Sequence, residues 1–306
     1  MKKYIMVLCA VCMLVHKVAA QCMCSASNSN TTFNDNMTAN NQNYNWGLSI
    51  GTTNRWFKPM YMPHTVGEVT HHHVMESIAL ASTQHIAVAY KFKQVNELSM
   101  SIPYTFATTN KANTYTGFND VQLWYNRLIQ LNNVQLKAGV GVELPSNLTP
   151  TALSSQVILS SGSIDPMLAI RLNYFKNKWI WKFNTIAKYT TTNSSNNNLG
   201  NYSYTSATVG YKLNNNTLCE STDSTKQKTT WIVFGGVSND YFGKQYASKT
   251  TLDNTGGDML LGNAGVSITH KFIALTIQST LPIHQQWIGE QQNISLGAKA
   301  TLAINF

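Results

Sequence analysis

The sequence predicts an all-β chain, an antiparallel transmembrane β-barrel of about 12 strands with short periplasmic turns and longer extracellular loops. Three observations predict it. Segments of roughly ten residues or more alternate apolar and polar side chains at every second position, the period of a strand with one apolar face. The connections between them alternate short and long along the chain, which a soluble sandwich has no reason to do. Aromatic residues are abundant (14 Tyr, 11 Phe, 7 Trp) in a chain only 11% charged, and they gather at segment ends.

Taken in order, Lys2 and Lys3 precede the apolar run YIMVLCAVCMLV and the small residues of KVAA, the layout of a secretory signal peptide over 1–20. That run is about 12 residues, short of the roughly 20 a spanning helix needs. Its removal takes away three lysines and no acid, so +9 less three leaves +6 on the mature chain. Residues 21–43, with SASNSNTTFNDNMTANNQ at their heart, are too polar to bury a core and read as a flexible periplasmic leader. The barrel then occupies 44–306. Strands are expected near 44–57, 76–92, 95–107, 117–130, 133–145, 163–175, 178–191, 201–213, 228–242, 258–270, 271–283 and 292–306. The regular ones are unambiguous: Val134, Leu136, Ala138, Val140, Val142 and Leu144 alternate with Gln135, Lys137, Gly139, Gly141 and Glu143. The last segment carries Ile294, Leu296, Ala298, Ala300, Leu302, Ile304 and Phe306 on one face, expected towards lipid, with Lys299 on the other.

Between strands, KQVN, QLNN, FKNK and THK are hairpin-sized, whereas KPMYMPHTVGEVTHHH, TTNKANTYT, SNLTPTALSSQVILSS, TNSSNNNLG, GKQYASKTTLDNTG and HQQWIGEQ are long. The parity breaks once, at NNNTLCESTDSTKQ. Aromatic pairs such as Tyr90 and Phe92, Tyr104 and Phe106, or Trp179 and Trp181 fit the interfacial girdles of such barrels.

If the apolar faces meet lipid, Lys91, Lys137, Glu143, Arg171, Lys182, Lys188 and Lys299 line the lumen. A charge facing lipid at mid-membrane costs about 2–4 kcal/mol, which drives these residues inward. A basic lumen concentrates anions.

The stretches NELSMSIPYTF (96–106), GFNDVQLWYNRL (117–128) and SSGSIDPMLAIRLNYF (160–175) resemble the outer-membrane family named for the meta-pathway of phenol degradation. The resemblance covers about residues 84–306, with the Gly-Phe-Asn-Asp and Gly-Ser-Ile-Asp-Pro turns its most specific parts. It implies a porin-like transporter in the bacterial outer membrane, grouped distantly with channels for hydrophobic compounds, and it brings no catalytic residues. The terminal Phe306 is similar to the signal read by the barrel-assembly machinery. The partners expected are therefore outer-membrane lipid, that machinery and a small solute.

Two clusters point elsewhere. His64, His71 and His73, with Met60 and Met62 nearby and His85 as a further ligand, supply imidazole and thioether donors suited to copper or zinc, without a cofactor being required. Cys22 and Cys24 flank Met23 in the leader and suit a soft metal, or one of them pairs with Cys219 in a periplasmic disulfide. Three cysteines in the mature chain allow at most one such bridge. No enzyme is expected: no strand sets a Ser beside a His, His284 reads as a loop residue, and Asp120 and Asp165 read as turn residues. The basic residues are dispersed along strands and do not form a nucleic-acid patch.

Overall fold

The structure, a computed structural model, describes residues 45–66, 69–74, 77–93, 95–147, 151–154, 157–214, 229–248, 250–253, 255–288 and 291–306. Residues 1–44, which hold the expected signal peptide and leader with Cys22 and Cys24, and Cys219 lie outside the described residues.

Twelve antiparallel strands close into a barrel. They are β1 (Trp46–Phe57), β4 (Ile78–Phe92), β5 (Asn96–Thr109), β7 (Val121–Leu131), β8 (Val134–Leu144) and β11 (Asp165–Lys176), then β12 (Trp179–Lys188), β13 (Tyr202–Lys212), β14 (Thr230–Phe242), β17 (Gly257–His270), β18 (Ile273–Trp287) and β19 (Ile294–Asn305). Each pairs with its chain neighbour, and β1 takes both β4 and β19. Closure continues to the rim, where Trp46 and Phe306 exchange N–H···O bonds of 2.9 Å in both directions. A strand of about 12 residues tilted near 40° rises about 30 Å, the thickness of the hydrocarbon layer.

The loop end carries three further hairpins or half-hairpins. β2 (Tyr61–Val66) pairs with β3 (Val69–Val74), β9 (Thr151–Ser154) with β10 (Val157–Ser160), and β15 (Gln245–Ala247) with β16 (Thr250–Leu252). Three stretches read from sequence as irregular loops are thus partly paired, because those loops carry short alternating runs of their own. His284, expected in a loop, is instead in β18, which runs to Trp287. At the opposite end four of the five connections are tight, the exception being 213–229 between β13 and β14, and Lys93, Asn132, Asn177 and Lys271 turn the chain in the left-handed region at φ of 52°, 47°, 56° and 50°. Asn tolerates that region better than most residues, which accounts for two of the four.

The β6 strand (Thr114–Phe118) continues almost directly into β7. Tyr104 pairs with Phe118 and Ser101 with Gln122, so residues 119–121 oppose only 102–103. That is a β-bulge, placed where Pro103 has no N–H to give the ladder. Gly-Phe-Asn-Asp is therefore not a turn. The extra residue lets two successive side chains, Asn119 and Asp120, both enter the interior. A second bulge pairs Trp56 with Leu296 but Phe57 with Ile294, skipping Ser295. It reverses the parity there, so Ile294 is buried inside the barrel while Leu296 and Leu302 face out. The expected lipid-facing ladder of the last strand is corrected at that one residue.

Outside and inside are inverted relative to a soluble protein. Ile50, Ile86, Leu98, Val140, Leu168, Ile277 and Leu281 are exposed, whereas buried polar side chains outnumber buried apolar ones among the described residues. Lipid, not water, must cover that outer face.

A twelve-strand interior is narrow, and large inward side chains need a partner without one. His85 lies over Gly51, its register partner, and Trp124 over Gly141, likewise. A Cβ on Gly51 would fall 2.2 Å from the His85 ring, and one on Gly141 would fall 2.6 Å from the Trp124 ring. Gly141→Val should cost about 1–3 kcal/mol by overpacking. The barrel's heat-modifiable migration on SDS gels should then be lost at a lower temperature, and Trp124→Leu in the same chain should restore part of it.

Candidate functional site: the barrel interior

The loop end of the lumen is filled by apolar side chains. Phe57, Ile78, Tyr202, Phe242, Met259 and Ile294 are buried in one cluster, with Trp287 packed against it. The Tyr202 and Phe242 rings lie 5.5 Å apart, and Phe242 and Trp287 5.6 Å apart. Ile78 is on β4 and Tyr202 on β13, six positions apart around twelve strands. They are diametrically opposed, so the cluster spans the lumen as a cap. Every one of these residues ends or begins its strand, or lies one turn of the pleat inside that point. Sequence reasoning missed the cap because apolar residues at strand ends look like girdle residues; only the bulges and the strand order turn them inward.

Beneath the cap the interior is polar. The Tyr202 hydroxyl donates to Asp240 Oδ1 at 2.6 Å, and Arg55 Nη2 lies 3.9 Å from Asp240 Oδ2. The pair bridges β1 and β14, four positions apart, and so crosses the lumen. Directly below is a chamber of about 70 Å³ whose walls include Arg55, Lys182, Tyr204, Phe234, Asp240 and Lys299. Leu261 belongs both to the chamber wall and to the cap.

The opposite wall holds two buried ion pairs. Lys188 Nζ donates to Glu143 Oε1 at 2.8 Å, and Gln122 donates to the other carboxylate oxygen at 2.9 Å. Lys137 Nζ donates to Glu97 Oε1 at 2.7 Å, with Asn126 at 3.2 Å from the same atom. Each pair reaches between strands on the ring that are not direct neighbours, β8 to β12 and β8 to β5. They therefore tie the wall together from inside.

Asp120 and Asp165 do more than shape turns. Asp120 accepts from the Ser146 N–H at 2.9 Å, and from the Ser161 N–H and hydroxyl at 2.8 Å each. It fastens both ends of the 145–164 loop to the barrel mouth. Asp165 accepts from the Ser163 hydroxyl and the Thr191 N–H, both at 2.9 Å, which ties in the next loop. The two motifs that carry the family resemblance are thus the anchors of the outer loops.

Of the seven charged residues expected in the lumen, Lys137, Glu143, Arg171, Lys182 and Lys188 are buried, while Lys91 and Lys299 are half-buried. The structure sorts them into separate groups rather than one basic surface. It also adds Arg55, Glu97, Asp165 and Asp240 to the interior. Glu97 was legible, since Leu98, Met100 and Ile102 alternate with it and with Ser99 and Ser101.

His64 and His71 are register partners across the β2–β3 hairpin, and Met62 is opposite His73. His85, by contrast, is buried on the barrel wall and is not part of that hairpin. Among the residues whose side chains the structure describes, which do not include those of the β2–β3 hairpin, no group of three or more His, Cys, Asp or Glu is arranged to hold a metal ion.

No protein-family model matches the chain. No curated protein matches it either. Among solved structures, the COG4313 outer membrane channel from Pseudomonas putida F1 superposes with a TM-score of 0.63 at 12% identity, over 86% of this chain and 96% of that one. The NanC porin is similar at a TM-score of 0.46 and 10% identity, over 85% and 100% of the two chains. The CymD monoaromatic hydrocarbon channel gives 0.41 and 7%, over 86% and 89%. The likeness is one of fold. The chain is a transmembrane β-barrel of the kind that resides in the bacterial outer membrane, with its tight turns periplasmic and its long loops outside.

Removing one partner of a buried pair strands the other, which costs about 3–5 kcal/mol, whereas replacing both by apolar residues is often close to neutral. Lys137→Met alone should therefore lower the unfolding midpoint in urea more than the Glu97→Leu/Lys137→Met double variant does.

Proposed function

We propose that the chain is an outer-membrane channel for small solutes. The observation that carries this reading is the polar chamber under an apolar cap: a purely structural barrel has no need to keep charged side chains around an internal space at its centre. Lys91, Lys137, Glu143, Arg171, Lys182, Lys188 and Lys299 line the route in this reading, with the cap as its closed outer gate. Apolar constrictions close pores by expelling water, so a thin cap suffices to block ions. The resemblance to the phenol-degradation family favours small aromatic compounds, and the lysines favour anions. A signal peptide over 1–20, a leader over 21–43 and recognition of Phe306 by the barrel-assembly machinery belong to the same proposal.

The test is conductance. Refolded protein in a planar bilayer should give small, infrequent openings, and Phe242→Ala should raise their size or frequency severalfold by thinning the cap. A variant and a wild type that are both silent would remove the channel reading.

A second reading rests on the His64–His71 register: the outer hairpin would bind Cu(II) or Zn(II) through His64, His71 and His73, with Cys22 and Cys24 as a separate soft-metal or disulfide site involving Cys219. Calorimetric titration of wild type against a variant with alanine at 71–73 should show loss of a binding isotherm. Identical traces would end it.

A further inference from the structure

We propose that the bilayer-facing wall at the turn end, from β4 to β12, is a binding surface for an anionic phospholipid of the periplasmic leaflet, whose headgroup phosphate Arg127 holds. The proposal does not depend on what the lumen conducts.

Parity picks out Arg127. On β7, Gln122, Trp124 and Asn126 are buried in the interior, while Tyr125, Arg127, Ile129 and Leu131 are exposed. Arg127 therefore stands on the face that lipid covers. A charge on that face is costly at mid-membrane and nearly free beside the headgroups. Arg127 lies four residues before Leu131, the last residue of β7. A tilted strand rises about 10 Å over that distance, and a long arginine stem returns the guanidinium part of the way to the interface.

The surroundings suit a headgroup. The register partner of Arg127 on β8 is Ala138, small and exposed, so the surface on that side is open. Its partner on β5 is Asn96, the first residue of that strand. The Tyr125 hydroxyl donates to Asn96 Oδ1 at 2.8 Å, which aims the ring towards the turn end, and the Phe92 ring lies 6.4 Å away. Such rings settle at the level of the headgroups, and the guanidinium fork matches a pair of phosphate oxygens.

Charge on the neighbouring turns gives the surface its sign. Lys93 is exposed in the β4–β5 turn, and Lys176 is exposed at the end of β11, two residues before Lys178. Lys178 is half-buried, its amine 5.9 Å from the centre of the Tyr211 ring. These two turns flank the β7–β8 turn on the ring. Of the Asp and Glu among the described residues, Asp120, Glu143, Asp165, Asp240, Asp253 and Asp258 belong to the loop end. The remaining one, Glu97, is buried inside against Lys137. No Asp or Glu among the described residues therefore opposes the basic groups on the outer face at the turn end. An acidic protein arriving from the periplasm would meet the turn lysines but not Arg127, which stands above them on the bilayer-facing wall. That placement selects lipid.

The test is native mass spectrometry of the full barrel in detergent, titrated with phosphatidylglycerol or phosphatidylcholine. Phosphatidylglycerol should bind the more tightly. Arg127→Gln should weaken it about fivefold, the effect of one basic residue at an anionic lipid surface. Arg127→Lys should keep most of the binding, and Arg127→Gln/Lys93→Gln should lose more than the single variant. Lys58→Gln/Lys111→Gln, which removes two exposed charges from the loop end, should leave binding unchanged. Glycerol phosphate, a headgroup without acyl chains, should not displace the lipid. Equal binding of the two lipids would overturn the proposal, as would an equal loss in the loop-end variant. A loss in Lys93→Gln without one in Arg127→Gln would put the anion at the turn tips, in water, and overturn the bilayer-facing site. Displacement by glycerol phosphate would do the same. Lys176→Gln/Lys178→Gln leaves Arg127 in place and gives a second reading: unchanged binding in that variant, with heat-modifiable migration retained, would overturn the extent of the surface.

Discussion

Everything in this molecule follows from one constraint: inside a bilayer no backbone N–H or C=O can be left without a partner. A sheet that crosses lipid must therefore have no edge. The chain meets this by joining β1 to β19 along their full length and by exchanging the Trp46 and Phe306 backbone bonds at the rim. Closure with twelve strands in turn sets the bore, and the bore sets what the inward side chains can be. Glycine has to stand beneath His85 and Trp124 for that reason, not for conformational freedom.

The same closure makes the interior an electrostatic problem. Most charged side chains of the strands are kept off the lipid face, Arg127 near the turn end of β7 being an exposed exception, so most of them meet in a narrow space where each must find a counter-charge or water. The chain solves this by sorting them. Lys188 and Lys137 find Glu143 and Glu97 on one wall, and Arg55 finds Asp240 across the lumen. Lys182 and Lys299 stand apart from these pairs, on the chamber wall. A lumen described only by its net charge would miss this division, since paired lysines add little to the field that an entering solute meets.

Much of the fold was legible because the period of two survives in every barrel strand, and the parity of turn lengths then orders them. The twelve expected segments lie within a few residues of the twelve observed. What escaped was local and had one cause. At Asn119–Asp120 and at Ser295 a bulge adds a residue to one side of the ladder and reverses which face a side chain takes. A bulge leaves no mark in a pattern of apolar and polar letters. Ile294 was therefore assigned to lipid, and Asp120 to a turn. The interior residues Glu97 and Asp240 were readable from alternation alone, and the partnerships across the lumen were not, because they depend on which strands face each other after closure.

The position of the cap relative to the chamber has a consequence for how a solute would move. The cap belongs to the strand ends, where β6, the bulge and the loops held by Asp120 and Asp165 determine the backbone. The chamber belongs to mid-strand residues such as Lys182 and Phe234, fixed by ladder bonds on both sides. Moving a mid-strand wall would break the ladder and expose backbone groups to lipid, at several kcal/mol for each group. Rearranging the cap requires only rotamer changes and loop displacement. A gate can be built at the end of such a barrel and a selectivity site at its waist, and the reverse arrangement is physically unfavourable. The apolar ends and the charged middle of this chain are distributed accordingly.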